Sequence, residues 1–286
     1  MATKQKLHAR RNIGRLFVIG GNEDKDPNKM VILPHFLKLC GGKRARIVVC
    51  GTPSKEPTRK ERVYRNLFEK IGASDVFEAQ IKNRRDAENE EVVAAVRKAT
   101  GVFFTGSDQL RLTSLIAGTA FGDSVRERLW NDRLVVGGTS AGAAAMSTTM
   151  VIGGRDDGSV RRCDVRLGPG LGYWRDTTID THFGQRGRMT RMFVIFSENP
   201  QVLGIGLDED TAVEVTPGRS FTVVGKGAAF VFDGKVTHTS APEADDDEII
   251  AMTDSVVHVL PDGYRFDLVK MRPLLPSGKL ITKRAG

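Results

Sequence analysis

The chain has 286 residues, of which 40% are hydrophobic and 27% charged, a balance that excludes disorder, collagen and a disulfide scaffold. That length buries a sizeable core unaided, and no apolar run reaches the roughly 18 residues of a transmembrane helix. Lys and Arg number 43 against 35 Asp and Glu, a net +8 that fits nucleic acid, a membrane surface, an anionic substrate or simply a solvated basic surface. Cys40, Cys50 and Cys163 form no close metal-type pair, and a sparse, odd count fits a reducing compartment. The basic start is followed by no apolar signal segment, so the expected location is the cytoplasm.

Residues 1–12 read as a flexible basic arm and 13–286 as a single domain. Residues 16–19 are a buried strand running into Gly20-Gly21-Asn22, and 29–39 have helical periodicity stopped by Gly41-Gly42. Residues 46–50 are the next strand, 60–71 a helix, 73–79 a short strand, 86–100 a helix and 101–104 a third clear strand. Strands alternating with helices predict an α/β fold, a mostly parallel central sheet flanked by helices, with its site at strand C-termini. In the last third, 213–215, 221–224, 228–232, 235–239 and 256–259 read as C-terminal antiparallel hairpins added to the main sheet. The acidic loop 244–248 reads as solvated, with a metal site as its minor alternative.

Residues 134–138 are an apolar strand leading into Thr139-Ser140-Ala141-Gly142, and 143–146 suit a helix. Gly138-x-Ser140-x-Gly142 thus has the strand–turn–helix context of a nucleophile elbow. A serine on so sharp a turn projects its hydroxyl above the sheet, and the Ala141 amide at a helix start suits an oxyanion. The competing reading is a tight glycine turn with Ser140 as a helix cap.

A serine nucleophile needs a base and an orienting acid. Of the five histidines, His8 lies in the arm, His35 in a predicted helix, and His238 and His258 among the hairpins. His182 stands apart, with Asp180 before it and Arg186, Arg188 and Arg191 after it. Arg188 and Arg191, three apart, share a helix face and suit a carboxylate clamp, unless the stretch is only a solvated basic helix start. Asp208-Glu209-Asp210 ends another strand, and three adjacent carboxylates need a partner: His182, arginines or a metal. The order serine, histidine, acid differs from that of an α/β-hydrolase.

At these residues the sequence resembles the cyanophycinase family, in the peptidase E group of serine peptidases. Five blocks carry the resemblance, from the first glycine loop to the hairpins. They are Gly20-Gly21-Asn22-Glu23-Asp24-Lys25; Phe104-Thr105-Gly106-Ser107-Asp108-Gln109; Gly138-Thr139-Ser140-Ala141-Gly142-Ala143; Asp180-Thr181-His182-Phe183 with the three arginines; and Gly206-Leu207-Asp208-Glu209-Asp210-Thr211-Ala212. The resemblance implies a fold like that of class I glutamine amidotransferases and a triad of Ser140, His182 and Glu209. It implies a serine exopeptidase that cuts the polyaspartate backbone of cyanophycin, whose β-carboxyls carry arginine, and releases β-Asp-Arg dipeptides. It also implies a pocket lined by Gln109, Asp180, Arg186, Arg188 and Arg191, no cofactor or metal, and a homodimer. The oxyanion donors expected with it are the amides of Ala141 and of a glycine loop, Gly21 or Gly106.

Two positions depart from the family pattern, which has glycine at Ser107 and glutamine at Thr181; a loop needing φ > 0 at Ser107 would be strained. The alternatives are a peptidase E-like aspartyl dipeptidase and a non-peptidase acyl hydrolase on the same serine. Nucleic acid and membrane are not expected partners: aromatics are 7% and the arginines cluster beside the site.

Overall fold

A computed structural model of the chain describes residues 12–26, 28–155, 158–233, 236 and 238–281. The expected basic arm lies outside the described residues, but for Asn12.

Strands β1 (Arg15–Ile19), β2 (Arg46–Cys50), β3 (Asp75–Glu78), β4 (Gly101–Phe104) and β5 (Val135–Thr139) run parallel in the order β3-β2-β4-β5-β1. The runs of β1, β2, β4 and β5 are continuous because both faces are buried, while the edge strand β3 is only partly buried. Alternate residues go to opposite faces: Leu16, Val18, Val48, Val102 and Phe104 to one, Phe17, Ile19, Ile47, Val49 and Phe103 to the other. Helices α1 (Ile32–Leu39) and α2 (Pro57–Lys70) cover the second face through Ile32, Leu33, Phe36 and Phe68. Helices α3 (Glu90–Lys98), α4 (Gln109–Ile116) and α5 (Ala120–Asn131) cover the first through Val92, Val96, Leu112, Phe121 and Val125.

Helix ends follow their caps. The helix expected from residue 29 starts at Ile32 because the Asp24 carboxylate accepts the amides of Val31, Ile32 and Leu33. The helix expected over 86–100 is a 3-10 turn, Asp86–Glu88, followed by α3, because the Asn89 side chain caps the Glu91 amide at 2.8 Å.

Beyond β5 come the short helix α6 (Ala141–Ala144), a bulged hairpin of β6 (Thr149–Gly154) and β7 (Val165–Pro169), β8 (Thr177–Thr181) and α7 (Met189–Glu198). There follow β9 (Leu203–Leu207), β10 (Thr211–Thr216), β11 (Ser220–Gly225), β12 (Ala229–Asp233), β13 (His238–Thr239), β14 (Met252–Thr253), β15 (Val256–Leu260), β16 (Arg265–Asp267) and β17 (Arg272–Leu274). Strands β10, β11, β16 and β17 extend the main sheet antiparallel from β1, giving nine strands.

The strands expected at 228–232 and 256–259 do not join it. They are β12 and β15, and they pair with β9 and β8 in a second sheet ordered β15-β12-β9-β8. The reason is cover: Val231 enters the common core while Phe232 packs with Phe183, Met192 and Phe196 under α7. Of the strand expected at 235–239, His238 and Thr239 form β13, and Lys235 and Thr237 lie outside the described residues.

Two registers set the site. Ile19 pairs with Thr139, so Gly20-Gly21 and Ser140 leave adjacent strands side by side. Thr181 pairs with Leu207, so His182 and the three acids do the same. The His182 amide donates to Gly20 O at 2.8 Å and the Asp210 amide to Gly21 O at 2.9 Å, tying the two sheets together there.

Candidate active site

Ser140 joins β5 to α6 with φ 52° and ψ −115°, a backbone that L-residues rarely adopt. The elbow is kept by close packing: a Cβ on Gly142 would lie 2.4 Å from Phe104 O, and one on Gly138 2.7 Å from Gly142. The Ser140 side chain makes no capping hydrogen bond, which removes the helix-cap reading. Its Oγ lies 2.8 Å from His182 Nε2 instead.

His182 Nδ1 lies 2.8 Å from Glu209 Oε1. With Nδ1 protonated and donating to the carboxylate, Nε2 is left as the acceptor for the serine hydroxyl. The imidazole is wedged against the glycine loop: a Cβ on Gly21, whose φ is 105°, would come within 2.3 Å of its Cε1. Burial holds the His182 pKa below its ordinary value, and Arg186 and Arg188 add to this against the opposing pull of Glu209.

The adjacent carboxylates have separate partners. Glu209 accepts from Asn22 Nδ2 and, at 3.1 Å, from Lys25 Nζ, while its amide donates to Gln185 Oε1 at 2.9 Å. Burial raises its pKa, but the hydrogen bonds from His182, Lys25 and Asn22 outweigh burial and hold it below the usual range. Asp208 accepts the Gly184 amide at 2.9 Å and the Ala228 amide at 3.1 Å. Asp210 accepts the Asp24 amide at 2.8 Å and pairs with Lys226. Asn22, Lys25 and Gln185 were not legible as Glu209 partners, although Asn22 and Lys25 stand in a block that carries the resemblance.

A cavity of about 310 Å³ opens beside Ser140. Gln109, Asp180, Arg186, Arg188 and Arg191 all line it, as do the departing positions Ser107 and Thr181. The β6–β7 hairpin closes one side with Val151 to Gly154, and Gln109 Nε2 donates to Val151 O at 2.6 Å. Asp180 is buried and its carboxylate is already taken, by the guanidinium fork of Arg191 and by Arg188 at 3.2 Å. Arg188 also donates to Thr181 O at 2.7 Å. Asp180 therefore orients arginines rather than presenting an open carboxylate to a ligand cation. Arg186 has no side-chain partner among the described residues and faces the cavity.

Of the expected oxyanion groups, Gly106 touches the serine most closely: a Cβ there would lie 3.1 Å from Ser140 Cβ. The Ala141 amide stands at the first position of α6, where a helix supplies no acceptor. Gly21 faces the imidazole instead. Among the described residues the other histidines serve packing or surface: His35 stacks on Phe17 and bonds Glu214 at 2.9 Å, His258 packs on Phe266, and His238 is exposed; His8 lies outside them.

The family model for peptidase family S51 matches residues 16–223, which hold the serine, the histidine and the glutamate. The chain belongs to peptidase family S51. It is a peptidase, and hence a hydrolase. It is 35% identical to a cyanophycinase from Synechococcus elongatus over 256 residues, 89% of this chain and 79% of that protein. It is equally 35% identical to cyanophycinases from Geminocystis herdmanii and Nostoc sp., spanning 95% and 88% of those proteins. The crystal structure of a peptidase from an acI-B1 actinobacterium matches with a TM-score of 0.61 at 20% identity, over 86% of this chain and 97% of that one, a likeness of fold. Among the described residues no helix is long and apolar enough to cross a membrane.

Proposed function

We propose that this S51 peptidase is a serine-type exopeptidase that hydrolyses α-peptide bonds in the polyaspartate backbone of cyanophycin and releases β-Asp-Arg dipeptides. The observation that carries the chemistry is the unbroken chain of Ser140 Oγ, His182 Nε2, His182 Nδ1 and Glu209 Oε1, with both contacts at 2.8 Å, at the edge of an arginine-lined cavity. The cyanophycinase relatives support the substrate.

In this reading Ser140 attacks the carbonyl as His182 takes its proton, and Glu209 stabilises the imidazolium. The amides of Ala141 and Gly106 receive the oxyanion. His182 returns the proton to the leaving amine, and water then hydrolyses the acyl-enzyme. Arg186 meets a substrate carboxylate, while Arg188 and Arg191 present a cationic wall braced by Asp180. The reading treats 13–286 as one domain, acting as a homodimer in the cytoplasm; the three cysteines, all free, support a reducing compartment.

The test is clearing of an insoluble cyanophycin suspension, with Ser140→Ala alongside. The expected result is clearing with β-Asp-Arg as product, and loss of about 10⁴-fold or more of kcat in a folded Ser140→Ala protein. A folded wild type that leaves the suspension intact but cleaves short aspartyl peptides would move the reading to an aspartyl dipeptidase. Activity in Ser140→Ala at a tenth of wild type would remove the nucleophile assignment.

A further inference from the structure

Ser107 follows Gly106 in the loop from β4 to α4 and lines the same cavity as Ser140. Its φ is 137°, in the region that favours glycine. A side chain held there is strained, and such outliers persist where the surroundings over-determine them, clustering at ligand sites. Both neighbours of Ser107 are pinned. Gly106 is pressed against Ser140, and Asp108 donates its amide to Pro53 O at 3.2 Å while its side chain caps the Arg111 amide at 3.0 Å. The Ser107 hydroxyl meets no partner among the described residues, and the residue is exposed.

The cavity has two chemically different walls. Residues after β8 supply Arg186, Arg188 and Arg191, while the β4–α4 loop and the start of α4 supply the neutral side chains of Ser107 and Gln109. A carboxylate is drawn to the first wall. The second offers no cation, but its hydroxyl oxygen can accept from an amide N–H, which a carboxylate lacks.

We propose that Ser107 is a specificity-determining residue whose hydroxyl oxygen accepts from the N–H of the side-chain amide of the residue attacked by Ser140, so that a β-amidated aspartyl residue is preferred to one with a free β-carboxylate, which has no N–H to donate. This rests on the cyanophycin reading above. Ser107→Ala keeps a Cβ in the strained backbone and removes the hydroxyl; Ser107→Gly removes both.

The experiment measures kcat/KM on short β-Asp-Arg oligomers and on oligo-aspartate of equal length, for wild type and both variants. The expected result is a preference for the amidated oligomer that falls about 5- to 10-fold in both variants, the loss of one net hydrogen bond. Ser107→Gly also raises Tm by about 2–4 °C as the strain is relieved, and Ser107→Ala does not. A preference in Ser107→Ala within twofold of wild type overturns the proposal, whatever happens to Tm. A folded wild type that fails on the amidated oligomer overturns the substrate reading and the proposal together, so the two failures are told apart.

Discussion

The acid beside His182 and the cations around it act on its charge in opposite directions. Glu209 favours the imidazolium, while burial and the charges of Arg186 and Arg188 disfavour it, and the second group wins. As the proposed base, His182 must be neutral to accept a proton, so activity is expected to be lost as pH falls through its pKa. The acid limb of kcat/KM is therefore expected below pH 6.5, the ordinary histidine value. Arg186→Gln removes one disfavouring charge, so its limb moves to higher pH along with a rise in KM; a pH–rate profile for both proteins checks this, and a limb moving downward contradicts the electrostatic account. Glu209→Gln keeps the side chain's shape and one acceptor oxygen but loses the charge that stabilises the imidazolium, and its amide NH2 can face Nδ1 instead. A fall in kcat of about 10³–10⁴-fold with little change in Tm is expected, by the logic of orienting acids in serine hydrolases.

Helix α2 shows how one element carries a pH-dependent link to the loops that frame the sheet. Glu61 on α2 is fully buried and accepts the Gly51 amide at 2.8 Å and the Gln80 amide at 3.1 Å, from the ends of β2 and β3. Burial pushes its carboxyl up to about 7, past the lowering effect of those amides. Its folded pKa thus lies above the unfolded value of 4.5, and the folded state holds the extra proton between the two. The stabilisation from that proton is complete below about pH 4.5 and is lost as pH rises through about 7. Tm measured from pH 5 to 8 should fall from this group, and Glu61→Gln, which keeps an acceptor for Gly51, should flatten the fall. An equal slope in the variant would assign the pH dependence elsewhere.

Across the whole molecule the two sheets share one core. Ile179, Leu203, Ile205 and Val231 of the second sheet pack in the same cluster as Leu16, Val18 and Val136 of the first. The proposed triad draws Ser140 from one sheet and His182 and Glu209 from the other. A single cooperative unfolding transition is expected by calorimetry, with activity lost in the same transition. Two resolved transitions would mean that 13–286 is not one domain.

What local chemistry can specify was readable in the chain. The runs of β1, β2, β4 and β5 are apolar on both faces, so no pairing partner is needed to recognise them. The glycine-flanked Ser140 and the Asp180–Arg191 block carry their chemistry in residue type and spacing, and the resemblance of five blocks led to the family. The rest depended on distance in space. Whether β12 joins the main sheet or pairs with β9 is decided by which apolar cover Phe232 finds, and α7 supplies it from 189–198. The turn of chain after Asp180 brings Arg188 and Arg191 back onto its carboxylate, a closure that spacing along the sequence does not reveal. Asn22 and Lys25 reach Glu209 from 187 and 184 residues away, because β1 and β9 end at the same edge of the fold. Residue type alone determined which side chains have the chemistry for a serine hydrolase; only strand register decided which of them meet, because a hydrogen bond of 2.8 Å between residues 42 apart is set by how strands pair.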